Sequence, residues 1–263
     1  MTTAPLALRR ALHAEWIKLW SVRSAWLALA SAAALGVGLG VADTLSTARS
    51  WDTLTAPDRA SFDAVGSAFT GLTFGQLAFG VLGVLVATGD YATGSVIPTL
   101  TAVPRRGVVY AAKATVVAAT TLVCGQLLAF GLFLLGQEVL AARHLDVGLA
   151  DPGVLRAVTG AGLCLAVIAV VGFGLGALTR HPAAAVAALI GVVFLAYGVA
   201  RALEGWSYLP SRLLLSNAGD VVAQVHAVAA KPRLPSLRLA YLDLAGYVTI
   251  ALGLGAWRAR RDA

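Results

Sequence analysis

VLRAVTGAGLCLAVIAVVGFGLGALTRHPAAAVAALIGVVFLAYGVARAL, residues 154–203, is two apolar runs joined by four polar or turn-forming residues. Val154–Leu178 and Ala183–Leu203 each reach the ~20 residues needed to cross a hydrocarbon core of about 30 Å. Thr179–Pro182 between them leaves room only for a tight turn. Pro182 stands where the first turn of a helix accepts proline without losing an internal hydrogen bond. The stretch therefore predicts a helical hairpin through a membrane.

Outward from this hairpin, four more runs repeat the pattern: Ala25–Ala42, Phe69–Thr88, Val108–Leu135 and Leu237–Trp257. The first is short, and the third is long enough to tilt or to start in the interface. The composition agrees. At 59% hydrophobic, 13% charged and a mean hydropathy of +0.80, the chain cannot cover itself with an ordinary soluble surface, where roughly a quarter of residues are charged. A soluble helical core of this composition would expose large apolar patches and aggregate. The expected fold is an all-α integral membrane protein, one transmembrane domain over residues 1–263 with six transmembrane helices. Five polar segments frame them: an N-terminal interfacial helix (1–24), a connector (89–107), outer loops at 43–68 and 136–153, and short helices or a re-entrant element in 204–236. A retained first membrane helix fits the long basic N-terminal segment better than a cleaved leader.

The formal charge of +7 raises the possibility of a nucleic-acid partner. The positions of the charges point away from one, because the basic residues cluster at the ends of apolar runs as membrane flanks do. One set of segments holds Arg9, Arg10, Lys18, Arg23, Arg105, Arg106, Lys113, Arg180, Arg258, Arg260 and Arg261, with Glu15, Asp90 and Asp262 as its only acids. The opposite set spreads nine basic residues over longer loops beside ten acids. The positive-inside rule then places both termini in the cytoplasm of a multi-pass plasma-membrane protein. Cys124 and Cys164 lie inside apolar runs and read as free thiols packing as small hydrophobes; without a CxxC pair, structural zinc is not expected. Gly36–Gly40, Gly71–Gly75 and Gly172–Gly176 have the spacing used in close helix contacts. Gln76 and Gln126, the clearest mid-helix polar side chains, read as helix–helix hydrogen-bonding groups before substrate contacts.

Two polar segments carry more than topology. In ALRRALHAEWIKLWSVRSAW, residues 7–26, Leu8, Leu12, Trp16, Leu19 and Trp20 recur at helical spacing, while Arg9, Arg10, His13, Glu15 and Lys18 share the remaining surface. This predicts an amphipathic helix on the interface, with its rings at headgroup depth and lipid against its apolar side. Glu15 and Lys18 are three apart, close enough to pair with each other or with neighbouring protein. DYATGSVIPTLTAVPRRGVVYAAK, residues 90–113, follows the second run. Asp90 and Gly94 open it, an apolar piece is bounded by Pro98 and Pro104, and Arg105 and Arg106 give a fixed positive pair. Lys113 can snorkel from the base of the third helix. Anchoring explains the basic residues; the acid, the glycine and the bounded apolar piece fit docking to a cytoplasmic protein.

These residues resemble the membrane subunit of an ABC-2 type transporter, in particular its small actinobacterial six-helix permeases. AEWIKLWSVRSAW matches that family's E-x-x-K-x-x-(S/T)-x-R-(S/T) opening at Glu15, Lys18, Ser21, Arg23 and Ser24. The connector is similar to the family's acidic, glycine-centred segment at Asp90, Gly94, Ser95, Thr99, Leu100, Pro104, Arg105, Arg106 and Lys113. GLGAWRARRDA resembles its arginine-rich terminus. Asp90 stands where glutamate is common, and Pro98 where a basic residue often precedes the threonine–leucine pair. The resemblance implies two permease copies, as a homodimer, and two separate cytoplasmic ATP-binding subunits. These dock on the N-terminal helix and on a coupling helix in the 89–107 connector. It further implies ATP-driven export of a drug, lipid, polysaccharide or peptide-like substrate, with ATP and magnesium held by the partner subunits.

The chain itself has no Walker A pattern, no HExxH and no GxSxG, so neither nucleotide binding nor an enzymatic activity of its own is expected, and no cofactor. An embedded enzyme would need reactive side chains facing one another, whereas Asp43, Asp58, His144, Asp151 and His226 are scattered. A non-transporting membrane scaffold that recruits a cytoplasmic partner is the alternative reading. No residue is assigned to a substrate pocket by the sequence.

Overall fold

The computed structural model describes residues 4–92, 106–203, 209–225 and 234–261, and among these every regular element is a helix. Six helices are long and apolar enough to cross a membrane: Arg23–Thr53, Leu72–Tyr91, Arg106–Ala141, Val154–Thr179, Pro182–Ala200 and Leu237–Arg260. They correspond one to one with the six apolar runs. Successive spans alternate in direction, so the bundle has a proximal end (residues 23, 90, 106, 180 and 260) and a distal end (residues 50–72, 141–154, 203, 209–225 and 234–237).

The fourth span is the most buried, and the first, fifth and sixth are the least. Its sequence is built for that place. Ala157, Val158, Ala161, Leu165, Ala169 and Phe173 are all buried, and its glycines let neighbouring backbones approach. A Cβ placed on Gly172 would strike the carbonyl oxygen of Gly80 in the second span, and one on Gly83 would strike that of Ala169. Between the first and second spans, a Cβ on Gly71 would meet the Gly36 carbonyl. One on Gly40 would lie 2.5 Å from the Ala68 carbonyl oxygen. The three glycine pairs singled out by spacing thus sit at real helix contacts. Close van der Waals packing of this kind holds helices together where lipid removes the hydrophobic drive between them. Gln126 behaves as its reading predicts, its Nε2 donating to the Thr159 carbonyl of the fourth span at 2.9 Å. Gln76 instead turns back to Thr73 O of its own helix at 2.9 Å.

Several boundaries differ from expectation, each for a local reason. The first span runs through Ala42 to Ser50, with a further 3-10 turn to Thr53. The distal loop expected from Asp43 is therefore largely helical, continuing in Ala56–Ala60 and Ala64–Phe69. Polar residues there satisfy themselves: Thr44 Oγ1 donates to Gly40 O and Val41 O at 3.0 Å. The Asp43 carboxylate accepts from Ser67 Oγ at 2.8 Å and Thr70 Oγ1 at 3.2 Å. Phe69 ends a separate short helix, and the second span starts at Leu72. The third continues past Leu135 to Ala141. Pro182 does open the fifth span, but Gly191–Leu195 then form a π-helical segment, an irregularity that recurs at functional sites.

Within the 204–236 region, Leu209–Arg212 and Leu215–Ala223 are short helices. The longer one buries Leu215, Ala218, Val221 and Val222 among the fourth and sixth spans. Arg156, read from the sequence only as a distal charge, holds its far end. Its guanidinium donates to the carbonyls of Val221, Val222, Gln224 and Val225 at 3.3, 3.2, 2.7 and 3.1 Å. A cation at a helix C-terminus satisfies the orphan carbonyls and complements the dipole. Arg156→Gln is expected to destabilise the protein by about 2 kcal/mol, read as a lower unfolding midpoint of purified protein. It should also expose Leu215–Ala223 to hydrogen exchange ahead of the spans. Uniform exchange across the bundle would contradict this role.

Candidate functional site

The N-terminal helix, Ala4–Ser21, ends one residue before the first span. Val22 breaks the two apart with extended backbone, φ −92° and ψ 121°. The helix is present as predicted, and its two faces differ in burial. Trp16 and Leu8 are exposed, whereas Ala11, Glu15 and Leu19, one helical turn apart, are buried. Leu19 packs with Ala25, Leu82 and Val116 of the first three spans. An acidic residue thus sits in the middle of the docked face, and what it meets explains why.

Lys113, two turns into the third span, is 8% exposed and extends its ammonium between two carboxylates. Nζ is 2.9 Å from Glu15 Oε2 and 2.7 Å from Asp90 Oδ2. Asp90, in the last turn of the second-span helix, uses its other oxygen to accept from Lys18. The charges alternate Glu15, Lys113, Asp90, Lys18, and sum to zero. The N-terminal helix is thereby tied at one point to the second and third spans, through partners 72 and 98 residues along the chain. Burial, and then the Lys113 ammonium beside it, pull the Lys18 ammonium below its ordinary value, while Glu15 pulls the other way. Taking such ions out of water costs several kcal/mol each, a cost offset only when partners and geometry are this complete. The cluster therefore fixes a particular docking of the N-terminal helix more than it adds net stability.

A second tie lies at the same end. Arg180, in the turn between the fourth and fifth spans, takes left-handed backbone at φ 59°. Its guanidinium sits 5.4 Å from the centre of the Tyr91 ring and donates to Arg258 O at 3.3 Å. It joins the residue after Asp90 to the end of the sixth span, a role that its reading as a topological charge had not included. Trp16, Trp20 and Trp26 form an edge-to-face and tilted series with centroids 5.7 and 4.7 Å apart. Trp26 Nε1 donates to Trp20 O at 3.0 Å across the Val22 break.

Of the residues singled out by sequence, Glu15, Lys18, Asp90 and Lys113 come together. Arg23 is exposed at the start of the first span, outside the cluster. Arg106 opens the third-span helix, seven residues before Lys113. Gly94, Ser95, Pro98, Thr99, Leu100, Pro104 and Arg105 lie outside the described residues. Glu15 was expected beside Lys18 or neighbouring protein, and the neighbouring Lys113 is its hydrogen-bond partner. No protein-family model, curated protein or solved structure matches the chain.

Proposed function

We propose that the chain is the membrane-spanning permease subunit of an ATP-driven ABC-2 type exporter. It forms the substrate pathway as a homodimer and receives motion from separate cytoplasmic ATP-binding subunits. The observation that supports this reading is the Glu15–Lys113–Asp90–Lys18 chain, buried at its first three members and partly exposed at Lys18. It joins the N-terminal helix to both borders of the 89–107 connector, the segment that the family resemblance names as the coupling element. A push on either surface is then transmitted to the second and third spans together, because a paired buried charge cannot move without its partner. The proximal end faces the cytoplasm in this account, following the basic residues gathered there. The tryptophan series lies at headgroup depth, and ATP and magnesium belong to the partner subunits.

The test is a double change, Arg105→Gln with Arg106→Gln, in membranes that also hold a co-expressed ABC ATP-binding subunit. Insertion should be unchanged, since orientation sums over many short basic segments. Complex yield or transport-stimulated ATP turnover should fall. Exposed ion pairs contribute only ~0–1 kcal/mol each, so a drop near a hundredfold would identify partly buried contacts. If insertion, association and turnover are all unchanged, these arginines are not the docking contacts.

A further inference from the structure

At the distal end, away from the ion cluster, the second, fourth, fifth and sixth spans and the helix Leu215–Ala223 enclose a cavity of about 470 Å³. This is the size range of sites for drug-sized molecules. Phe69, Leu165 and Phe194 are among its apolar walls, and Phe194 belongs to the π-helical segment of the fifth span. Asp220 and Cys164 are its only titratable linings among the described residues, and no lysine, arginine or histidine lines it there. Gln76 Nε2 is committed to Thr73 O, which leaves its Oε1 as an acceptor.

Among the described residues, the Asp220 side chain makes no contact that ties elements of the fold together. Its backbone carbonyl caps the helix by accepting from Gln224 N at 3.0 Å, but among the described residues its carboxylate has no hydrogen bond or ion pair. Arg156, which reaches the same helix, is taken up by four carbonyls. The carboxyl is exposed to the cavity, yet the surrounding protein excludes enough water to push it up from its ordinary value. Among the described residues no cationic side chain lines the cavity, so a positive group entering it would find this carboxyl available to pair with.

We infer that this cavity is a binding site for an amphiphilic organic monocation, its charge against Asp220 and its apolar body against Phe69, Leu165 and Phe194. With a carboxyl and no lysine, arginine or histidine among its described lining residues, the cavity disfavours anions, and a lone carboxylate is too few ligands for a divalent metal. That such a cation is also the exported molecule rests on the permease reading; that it binds does not.

The probe is tetraphenylphosphonium, with tetraphenylborate as a competitor of like shape and opposite charge. Equilibrium dialysis with the purified full chain in nanodiscs should show saturable binding of the cation that tetraphenylborate does not displace. Asp220→Asn should weaken it about tenfold or more, and Asp220→Glu should restore most of it. Ala223→Leu, which narrows the chamber and leaves the charge, should also weaken it, and it carries the test if Asp220→Asn does not fold. Non-saturable partitioning, equal displacement by the anion, or unchanged binding by folded Asp220→Asn or Ala223→Leu would overturn the inference. The assay needs no ATP-binding subunit. Binding by a chain that associates with no ATP-binding subunit would sustain this site while removing the transporter reading, and partner association without binding would do the reverse.

Discussion

Lys113→Met is expected to destabilise the protein by about 3–5 kcal/mol, because it strands buried carboxylates that had a cation between them. Methionine keeps the length and apolar stem of lysine, so packing changes little. The loss comes from Glu15, whose hydrogen-bond partner disappears. Asp90 keeps Lys18 and suffers less. The measurement is the unfolding midpoint of purified protein in detergent, together with proteolysis of the N-terminal helix, which should detach before the bundle opens. Glu15→Leu combined with Lys113→Met removes the stranded charge and should recover much of the loss, since replacing a buried pair by apolar groups is often neutral. A double variant as unstable as the sum of its singles would show that the ion pair is not what holds this helix.

The second large effect is steric. Gly83→Leu should cost about 3 kcal/mol, at the upper end of ordinary overpacking. Its first added atom would strike the Ala169 carbonyl oxygen and lie 2.8 Å from the Ala169 carbonyl carbon and 2.9 Å from Phe173 N. These are backbone atoms of the most buried span and have no rotamer through which to yield. Gly38→Leu supplies the control. Nothing lies within 4 Å of a Cβ at Gly38, so the gain in helix propensity, up to ~1 kcal/mol, goes unopposed. Equal destabilisation at both positions in unfolding assays would mean that the second and fourth spans do not meet as described.

The six spans were legible because a run of about 20 apolar residues has few other uses. Their ends were less so. Residues 43–50 are polar enough to look like a loop, and they are helical because Thr44 bonds back to its own helix while Asp43 takes hydroxyl donors from the next one. The π-helical segment in the fifth span left no mark on its uniformly apolar sequence. In the N-terminal helix, Glu15 was read as sharing the polar surface with Arg9, Arg10, His13 and Lys18, whereas it is buried against the bundle. The missing information was Lys113, 98 residues away, which makes an acidic side chain the right one for the buried face. Each member of the cluster could be singled out by type and place. Their meeting at one point depends on tertiary geometry, as does Arg156, whose four carbonyl acceptors lie 65 to 69 residues further along the chain.

The account stands on one claim, that this chain is a permease driven by separate ATP-binding subunits. The direct test is to co-express it with a candidate ABC ATP-binding subunit, purify the two together, reconstitute both in sealed vesicles, and measure ATP hydrolysis of the complex and of each chain alone. The account predicts a stable complex with two copies of each chain, hydrolysis that requires the ATP-binding subunit, and turnover that falls in the complex carrying Lys113→Met. Robust hydrolysis by the isolated chain, or a complex whose turnover is indifferent to this chain and to Lys113, would contradict it.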